Sequence, residues 1–254
     1  MRHSNLYTFV FITIVTIICA GLLSSAAYFL KDKQQINVEV DMKKNILKAV
    51  KLLDSKKISQ KETLDSYNKY IESFVVNSQG EVVDLPEGTS VEDIDPEKED
   101  TKPEDERLYP VYVKQDNSQI SAYCIPIIGK GLWSTMYGYL ALEPNVNKIL
   151  GITFYKQAET PGLGSEVESE GFQNKFIGKE IWDAEDNLVS IKILKLEPAA
   201  DSPNIKHEVA GISGATKTGE GVMNLLLKDL TKYENYFRKV TEEKKMSEVT
   251  EDVE

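Results

Sequence analysis

A short segment near the end of the chain combines small residues, hydroxyl groups and a lysine directly before a helical pattern. Residues 211–218 read GISGATKT, and an apolar helical periodicity follows them at once. Small residues let the backbone approach a ligand closely, and the N–H groups and dipole of a first helical turn favour an anion such as phosphate. Lys217 adds positive charge, and the Thr216 hydroxyl lies where a phosphate would lie. The segment therefore predicts a phosphate site at the start of a helix.

The same hydroxyl groups have a simpler alternative role. Serine and threonine side chains commonly accept hydrogen bonds from the first N–H groups of a helix. Under this alternative, Ser213, Thr216 or Thr218 caps the last helix and no ligand is involved. The residue types alone leave both interpretations open.

The sequence Ser213-Gly214-Ala215-Thr216 resembles the S/T-G-A-T flavinylation motif of the FMN-binding domain family. In that family a dedicated flavin transferase moves FMN from FAD onto the threonine hydroxyl and leaves a phosphodiester bond. The resemblance implies that Thr216 is the acceptor and that the chain carries covalent FMN. Ala210 departs from the pattern, because the family commonly has aspartate at this position.

A second segment resembles the same family. Residues 159–164 read ETPGLG, a loop typical of the family, and they follow a predicted strand. One proline and two glycines suit a tight loop that approaches a ligand closely, although an ordinary turn has the same composition. No nucleophilic triad or proton-abstracting pair accompanies the two segments, so we predict no catalytic residue. The predicted cofactor-binding residues are Glu159, Thr160, Gly162, Leu163, Gly164, Ser213, Gly214, Ala215, Thr216, Lys217 and Thr218.

A third segment indicates the subgroup. Residues 129–139, GKGLWSTMYGY, resemble the C subunits of the sodium-pumping NADH:quinone oxidoreductases, and so do residues 155–159. The resemblance implies an electron carrier that relays single electrons through FMN while the complex oxidises NADH, reduces a membrane quinone and exports sodium. It implies subunits A, B, D, E and F, the flavin transferase and the membrane as partners. Trp133, Tyr137 and Leu163 are predicted to cover the flavin ring, with packing in the core as the alternative.

Two other functions remain open at this point. The G subunit of the ferredoxin-linked, Rnf-type electron transport complexes shares the threonine motif and the ETPGLG loop. A non-redox anchored domain that binds a phosphate ligand or a partner without flavin is the other alternative, and Ala210 is its main support.

The composition limits other kinds of chemistry. The chain has two cysteines, Cys19 and Cys124, and two histidines, His3 and His207, without a CxxC pair. This argues against an iron–sulfur, haem or zinc site built by this chain alone, so we predict no metal site. The formal net charge of -11 argues against a nucleic-acid partner, because phosphate backbones would be repelled.

The N-terminal segment predicts a single membrane anchor. Residues 6–30 carry no charge, and about 20 apolar residues suffice to span a bilayer. A cleaved signal peptide is the alternative, but the apolar run exceeds the roughly 7–15 residues of a signal core. Arg2 on one side and Lys31 and Lys33 on the other leave the orientation undecided by charge. The resemblance implies a bacterial inner membrane protein whose soluble domain is periplasmic.

The remaining elements predict an α+β fold, a small, largely antiparallel sheet backed by helices. Strands rich in β-branched and aromatic residues are predicted at 109–113, 120–128, 136–142, 150–155 and 188–196, with a hairpin at 74–83. Helical spacing is predicted at 42–53, 64–74, 167–176 and 217–237. The predicted domains are an anchor at 1–35, stalk and packing helices with the hairpin at 36–85, an acidic flexible insertion at 86–107, the FMN-binding domain at 108–237 and a charged tail at 238–254.

Overall fold

A computed structural model describes residues 5–53, 58–117 and 119–251 of the chain. It divides into two compact units, Met1–Met42 and Lys43–Glu254. The second unit joins segments that the sequence analysis assigned to separate regions. The stalk end, the acidic segment and the C-terminal helix all belong to it.

The first unit is formed by the N-terminal part of helix α1, Asn5–Ala49. Residues Asn5–Lys31 are long and apolar enough to cross a membrane, a test that a signal sequence at the same place would also pass. The Thr16 and Ser25 hydroxyls donate to the carbonyl oxygens of Ile12 and Gly21, one turn earlier, at 2.8 Å each. These bonds satisfy the polar side chains within the helix itself, as an apolar environment requires.

A six-stranded antiparallel sheet is the centre of the second unit, and its strand order is β2-β1-β3-β4-β5-β6. Strands β3 to β6 form a meander of consecutive hairpins, while β1 pairs with β3 and carries the short β2 at the edge. The meander and the edge hairpin confirm the predicted antiparallel sheet. The strands are β1 Ile71–Val76, β2 Val82–Val83, β3 Tyr109–Asp116, β4 Gln119–Lys130, β5 Thr135–Leu142 and β6 Ile149–Lys156.

Helix α5, Thr216–Glu251, covers one face of this sheet. Its apolar residues recur at helical spacing and are buried against inward-facing residues of β3, β4 and β5. The end of α1 packs near β6, where a Cβ on Gly151 would collide with the Ala49 carbonyl oxygen. Because the middle strands are covered on both faces, β4 is buried over most of its length rather than alternating. The predicted core face of α5 is confirmed by the burial of Val222, Leu226, Leu230, Tyr233 and Phe237.

Helix α2, Gln60–Tyr70, begins and ends four residues earlier than the helix predicted at 64–74. It begins with a capping box in which Ser59 and Glu62 bond each other's backbone N–H groups. The helical spacing continues through Ile71 and Phe74, but both residues lie in β1. Pairing of the whole of β1 with β3 explains the difference, because tertiary pairing overrides a short local pattern.

The acidic segment at 86–107 contains ordered contacts that its composition does not predict. It forms helix α3, Pro96–Glu99, between two short 3₁₀ turns, Val91–Asp93 and Glu104–Glu106. The Glu99 carboxylate is buried and accepts hydrogen bonds from the Leu108 N–H at 3.1 Å and the Lys102 ammonium at 2.8 Å. The segment was predicted to be a solvated insertion because it has few apolar residues. Hydrogen bonds to the buried Glu99 carboxylate order it instead.

The region between β6 and α5 is irregular. The predicted helix at 167–176 is divided into helix α4, Glu170–Gln173, and flanking 3₁₀ turns, Gly164–Glu168 and Asn174–Phe176. The predicted strand at 188–196 is reduced to β7, Lys192–Leu194, which pairs in parallel with β8, Glu208–Ala210. Helix α5 continues well past residue 237, through most of the predicted charged tail.

Candidate functional site

The N-terminus of α5 begins at Thr216, whose side chain is exposed. The Ala215 carbonyl oxygen accepts the first helical hydrogen bond, from the Gly219 N–H at 3.0 Å. Within the described residues, the N–H groups of Thr216, Lys217 and Thr218 have no acceptor. An exposed hydroxyl and three unpaired N–H groups therefore lie together where the helix dipole is positive.

No side-chain cap occupies this helix start in the part of the chain that the structure describes. The Ser213 and Thr216 hydroxyls make no bond to first-turn N–H groups. The Thr218 hydroxyl is buried and donates to the Glu159 carboxylate at 2.8 Å. The capping alternative for these hydroxyls is therefore not observed, and Thr218 differs from Thr216 because its oxygen is already engaged inside the protein.

The turn before the helix depends on close contacts. Gly214 has a φ of +77°, and a Cβ there would lie 2.8 Å from the Leu163 side chain. A left-handed backbone angle of this kind favours glycine. The Gly211 N–H donates to the Leu194 carbonyl oxygen at 2.7 Å and so continues the β7–β8 pairing into the turn. The SGAT turn is thus fixed between β7 and the ETPGLG loop.

Glu159 lies at the point where the three conspicuous sequence segments meet. One carboxylate oxygen accepts the N–H groups of Trp133 at 2.9 Å and Ser134 at 3.0 Å, and the Ser134 hydroxyl at 3.3 Å. The other oxygen accepts the Leu132 N–H at 3.2 Å and the Thr218 hydroxyl at 2.8 Å. A single side chain of the ETPGLG loop therefore joins the GLWS loop to helix α5.

The Glu159 carboxylate is 5% exposed and has no ion pair within 4 Å among the residues described. Burial acts to raise its pKa, but the Trp133 N–H, the Thr218 hydroxyl and the neighbouring N–H groups outweigh it and hold the pKa below the ordinary value of 4.5. The charge is thus stabilised by dipoles rather than by a cation.

Two glycines provide the space for this carboxylate. A Cβ on Gly131 would lie 2.5 Å from a Glu159 carboxylate oxygen. A Cβ on Gly164 would lie 2.6 Å from the Thr218 hydroxyl and 2.9 Å from the other carboxylate oxygen. Any side chain at either position would displace Glu159, so the glycine spacing of both loops follows from the buried carboxylate.

The rest of the ETPGLG loop forms a tight turn. The Thr160 carbonyl oxygen accepts the N–H groups of Leu163 at 3.1 Å and Ser165 at 3.2 Å, and the Gly162 N–H donates to the Ser165 hydroxyl at 3.1 Å. Thr160 and Gly162 thus shape the loop. Lys217, on the helix, pairs with Glu220 at 2.6 Å.

Large apolar side chains are exposed beside the helix start. Trp133 is 72% exposed, and Leu132 and Leu163 are exposed as well. Leu163 contacts the Gly214 turn, and Trp133 is held through its backbone by Glu159. Tyr137 is instead directed to the acidic segment, because its hydroxyl donates to Glu97 at 2.6 Å. Of the three predicted ring-covering residues, Trp133 and Leu163 offer apolar surface at the site.

Sequence reasoning missed Ser134 and Gly131 as parts of the site. The Ser134 hydroxyl also accepts the Ala158 N–H at 2.7 Å, which ties the two loops together a second time. The sequence feature that could have indicated a close approach here is the pair of glycines at 129 and 131, ahead of an otherwise regular strand. No cluster of three or more metal-binding side chains occurs in the residues that the structure covers.

The geometry fits a phosphate-linked aromatic group. Unpaired N–H groups and Lys217 suit an anion, the exposed Thr216 hydroxyl suits a covalent link, and the Trp133 and Leu163 side chains suit a flat apolar ring.

Comparisons with known proteins agree with this geometry. The family model described as FMN-binding domain matches residues 131–230. The chain is 35% identical to the C subunit of the Na(+)-translocating NADH-quinone reductase of Haemophilus ducreyi, over 85% of this chain and 86% of the relative. It is 32% identical to the protein of the same name from Pseudomonas aeruginosa, over 89% and 91% of the two chains.

Solved structures show the same relationship. The crystal structure of the corresponding C subunit from Parabacteroides distasonis is similar with a TM-score of 0.70 at 32% identity, covering 82% of this chain and 96% of that chain. NqrC of Shewanella oneidensis is similar with a TM-score of 0.64 at 26% identity, covering 79% and 96%. Near-complete coverage at this level of identity shows that the chain belongs to the NqrC family, the C subunits of the Na(+)-translocating NADH-quinone reductases.

Proposed function

We propose that this chain is the electron-carrier subunit of a Na(+)-translocating NADH-quinone reductase and that it carries FMN covalently on Thr216. The observation that carries the proposal is the exposed Thr216 hydroxyl beside three unpaired N–H groups at the start of α5. The named relatives favour this complex over the Rnf-type alternative.

Attachment requires a hydroxyl oxygen that a flavin transferase can reach. The Thr216 oxygen forms the new P–O bond with the FMN phosphorus, the phosphoanhydride bond of FAD breaks, AMP leaves and the hydroxyl proton passes to the transferase. Thr216 meets this requirement because it is exposed on the first turn. Thr218 does not, because its hydroxyl is buried on Glu159.

The protein's own residues then hold the phosphodiester and the ring. The unpaired N–H groups of Lys217 and Thr218 and the Lys217 ammonium, which pairs with Glu220 in this structure, would hold the phosphate of an FMN on Thr216. Trp133 and Leu163 supply apolar surface for the ring and limit its contact with water. Bound flavin would supply one-electron transfer.

The place of this protein in the cell follows from the same proposal. Helix α1 anchors it by a single span in a bacterial inner membrane, with the second unit on the periplasmic side. Subunits A, B, D, E and F are its partners, and a flavin transferase matures it. The FMN-binding domain is proposed to cover residues 108–237, within which the family match at 131–230 lies.

In-gel flavin fluorescence after denaturation tests the proposal, using the full chain co-expressed with a flavin transferase. We expect a fluorescent band for the wild type, none for Thr216→Val, and retention for Thr216→Ser, which keeps the hydroxyl. Thr231→Val is the matched control, because Thr231 is an exposed threonine on the same helix. A fluorescent Thr216→Val band, or a wild type without fluorescence, would overturn the proposal.

A further inference from the structure

The Glu159 carboxylate accepts an unusually large number of hydrogen bonds for a loop residue. Five donors converge on its two oxygens, and three of them are the consecutive N–H groups of Leu132, Trp133 and Ser134. A carboxylate has about four lone-pair positions, so its acceptor capacity is saturated. An uncharged side chain of the same size has half as many acceptor oxygens, which is why this position suits glutamate rather than glutamine.

The charged groups of the surrounding segments are engaged elsewhere. On the GLWS loop, the Lys130 ammonium donates to the Thr135 hydroxyl at 2.8 Å, and Lys156 lies over the Tyr137 ring at the end of β6. On α5, Lys217 pairs with Glu220. The acidic groups that follow the ETPGLG loop, Glu166 and Glu168, are exposed. The position of the Glu159 carboxylate is therefore set by the loop donors and Thr218.

The GLWS loop depends on this carboxylate for its conformation. Trp133 is 72% exposed, so the burial of its side chain contributes little to holding it in place. Its N–H and that of Ser134 both bond one carboxylate oxygen, while the Gly131 N–H closes the loop on the Ser134 carbonyl oxygen at 2.7 Å. The backbone that carries this exposed aromatic ring is thus fixed by Glu159.

The same carboxylate holds the start of helix α5. Its second oxygen accepts the Thr218 hydroxyl, two residues beyond Thr216 on the first helical turn. Since a helical turn is rigid, the separation between Trp133 and Thr216 is determined through Glu159.

We infer that Glu159 is the positioning residue of the flavin site: without touching the cofactor, it fixes the Trp133 loop relative to the Thr216 attachment point. The part of this inference that concerns flavin rests on the proposed function. It assigns Glu159 a role different from direct cofactor binding, because both of its oxygens are occupied by protein donors.

The first test uses the full chain without flavin and measures hydrogen exchange at backbone amides. In Glu159→Gln, the amide group replaces one acceptor oxygen, so we expect the Trp133 or Leu132 N–H to exchange at least about tenfold faster, as expected for the loss of a hydrogen bond to a charged acceptor. Amides in the middle of β4 and β5 should keep their wild-type rates. Glu166→Gln, at an exposed glutamate just after the loop, is the matched control. Unchanged exchange at all three loop N–H groups would overturn the inference.

A second variant separates positioning from folding. Thr218→Val keeps the shape of the side chain but removes the bond between α5 and Glu159. We expect Trp133 exchange to stay at the wild-type rate, because its own bond is intact, while the visible circular dichroism of the attached flavin changes. Equal flavin fluorescence on a denaturing gel would show that attachment itself is retained. An unchanged flavin spectrum in both Thr218→Val and Glu159→Gln would contradict the positioning role.

The two proposals fail in different ways. If the wild type acquires no flavin, the proposed function fails, while the exchange of the Trp133 N–H in Glu159→Gln still tests the loop. If flavin attaches to Thr216 but neither variant changes exchange or spectrum, only the positioning role fails.

Discussion

Two buried carboxylates hold distant segments onto helix α5, and they are stabilised in different ways. Glu159 receives N–H and hydroxyl dipoles from two loops and pairs with no cation among the described residues. Asp229 lies further along the helix, accepts the Ile128 N–H at 2.5 Å and pairs with Lys232 at 2.7 Å. Lys232 in turn reaches Asp100 of the acidic segment at 2.5 Å.

The two regions place different demands on their buried carboxylates. At the proposed flavin site, backbone N–H groups and the Thr218 hydroxyl stabilise Glu159 without an ion pair among the described residues. Around Asp229, lysines link two carboxylates and so fasten an acidic segment that has few apolar residues of its own. The first arrangement orders a ligand surface, whereas the second replaces hydrophobic packing with paired charges.

The largest effect on stability is expected from Asp229→Ala. The change leaves the Ile128 N–H without its acceptor and removes one partner of the mostly buried Lys232, so we expect a loss of about 3 kcal/mol in the free energy of unfolding. Urea denaturation of the full chain, followed by tryptophan fluorescence, measures it. Asp229→Asn should cost clearly less, because it keeps an acceptor for Ile128 and leaves Lys232 paired with Asp100. Equal losses in the two variants would show that the hydrogen bond from the Ile128 N–H contributes nothing beyond the charge of Asp229, contrary to this prediction.

A smaller effect is expected at the proposed flavin site from Gly131→Ala. The new Cβ would lie 2.5 Å from the Glu159 carboxylate, and overpacking of this kind costs about 2 kcal/mol. The same denaturation experiment measures the loss, and hydrogen exchange of the Trp133 N–H should accelerate with it. Gly171→Ala is the matched control, because a Cβ at Gly171 meets nothing within 4 Å. If Gly131→Ala were as harmless as the control, the close packing around Glu159 would be disproved.

Asp100→Asn should produce a more local effect. It removes the charge that pairs with Lys228 at 2.8 Å and Lys232 at 2.5 Å, and we expect a loss of about 1 kcal/mol. Limited proteolysis within residues 101–107 should become faster because the segment opens more often. Asp105→Asn, at an exposed position of the same segment, should leave the cleavage rate unchanged. Similar rates for Asp100→Asn and wild type would favour the flexible insertion that the composition predicted.

The smallest effect is a difference in pH response between the two carboxylates. The pKa of Glu159 lies below 4.5 in the folded chain, so on acidification the unfolded chain takes up the proton first. The charged Glu159 therefore stabilises the fold above pH 4.5, and this stabilisation is lost as the pH falls through the folded pKa. Burial raises the pKa of Asp229 although Lys232 and Lys228 favour its charged form. Protonation of Asp229 therefore favours the folded state. This stabilisation is present below the ordinary value of 3.8 and is lost as the pH rises through the folded pKa.

Subtracting isosteric variants isolates these two responses. The stability of the wild type minus that of Glu159→Gln should fall on acidification from about pH 7 to about pH 3, whereas the difference for Asp229→Asn should rise. If both stability differences changed in the same direction, the pKa values of Glu159 and Asp229 would not be shifted in opposite directions.

Local patterns predicted the parts of the fold that local physics controls. The β-branched strands of the meander and the apolar face of α5 at Val222, Leu226 and Leu230 correspond to the structure, because burial on the sheet follows the sequence period. The end of α2 was misplaced because β1 is fixed by pairing with β3, some 40 residues away in register. The contacts of the acidic segment depend on Lys228 and Lys232, more than 120 residues away, which composition alone does not reveal.

The candidate site divides in the same way. The exposed helix start at Thr216 was predictable, because small residues, hydroxyls and a helical pattern are adjacent in the sequence. The role of Glu159 was not, since its donors lie 25 to 59 residues away along the chain. The motifs indicated which residues lie near the proposed site. The structure adds that Glu159 and Thr218 are hydrogen-bonded to each other.

Peptide mass spectrometry of the whole chain, isolated from cells that contain a flavin transferase, locates the residue to which FMN is attached. Trypsin should release residues 207–217, which contain both Ser213 and Thr216. We expect this peptide to carry the mass of one FMN less one water, fragmentation to place that mass on Thr216, and Thr216→Val to lack it. Flavin on Ser213 or on another peptide, or an unmodified Thr216 in flavin-containing protein, would disprove Thr216 as the attachment point.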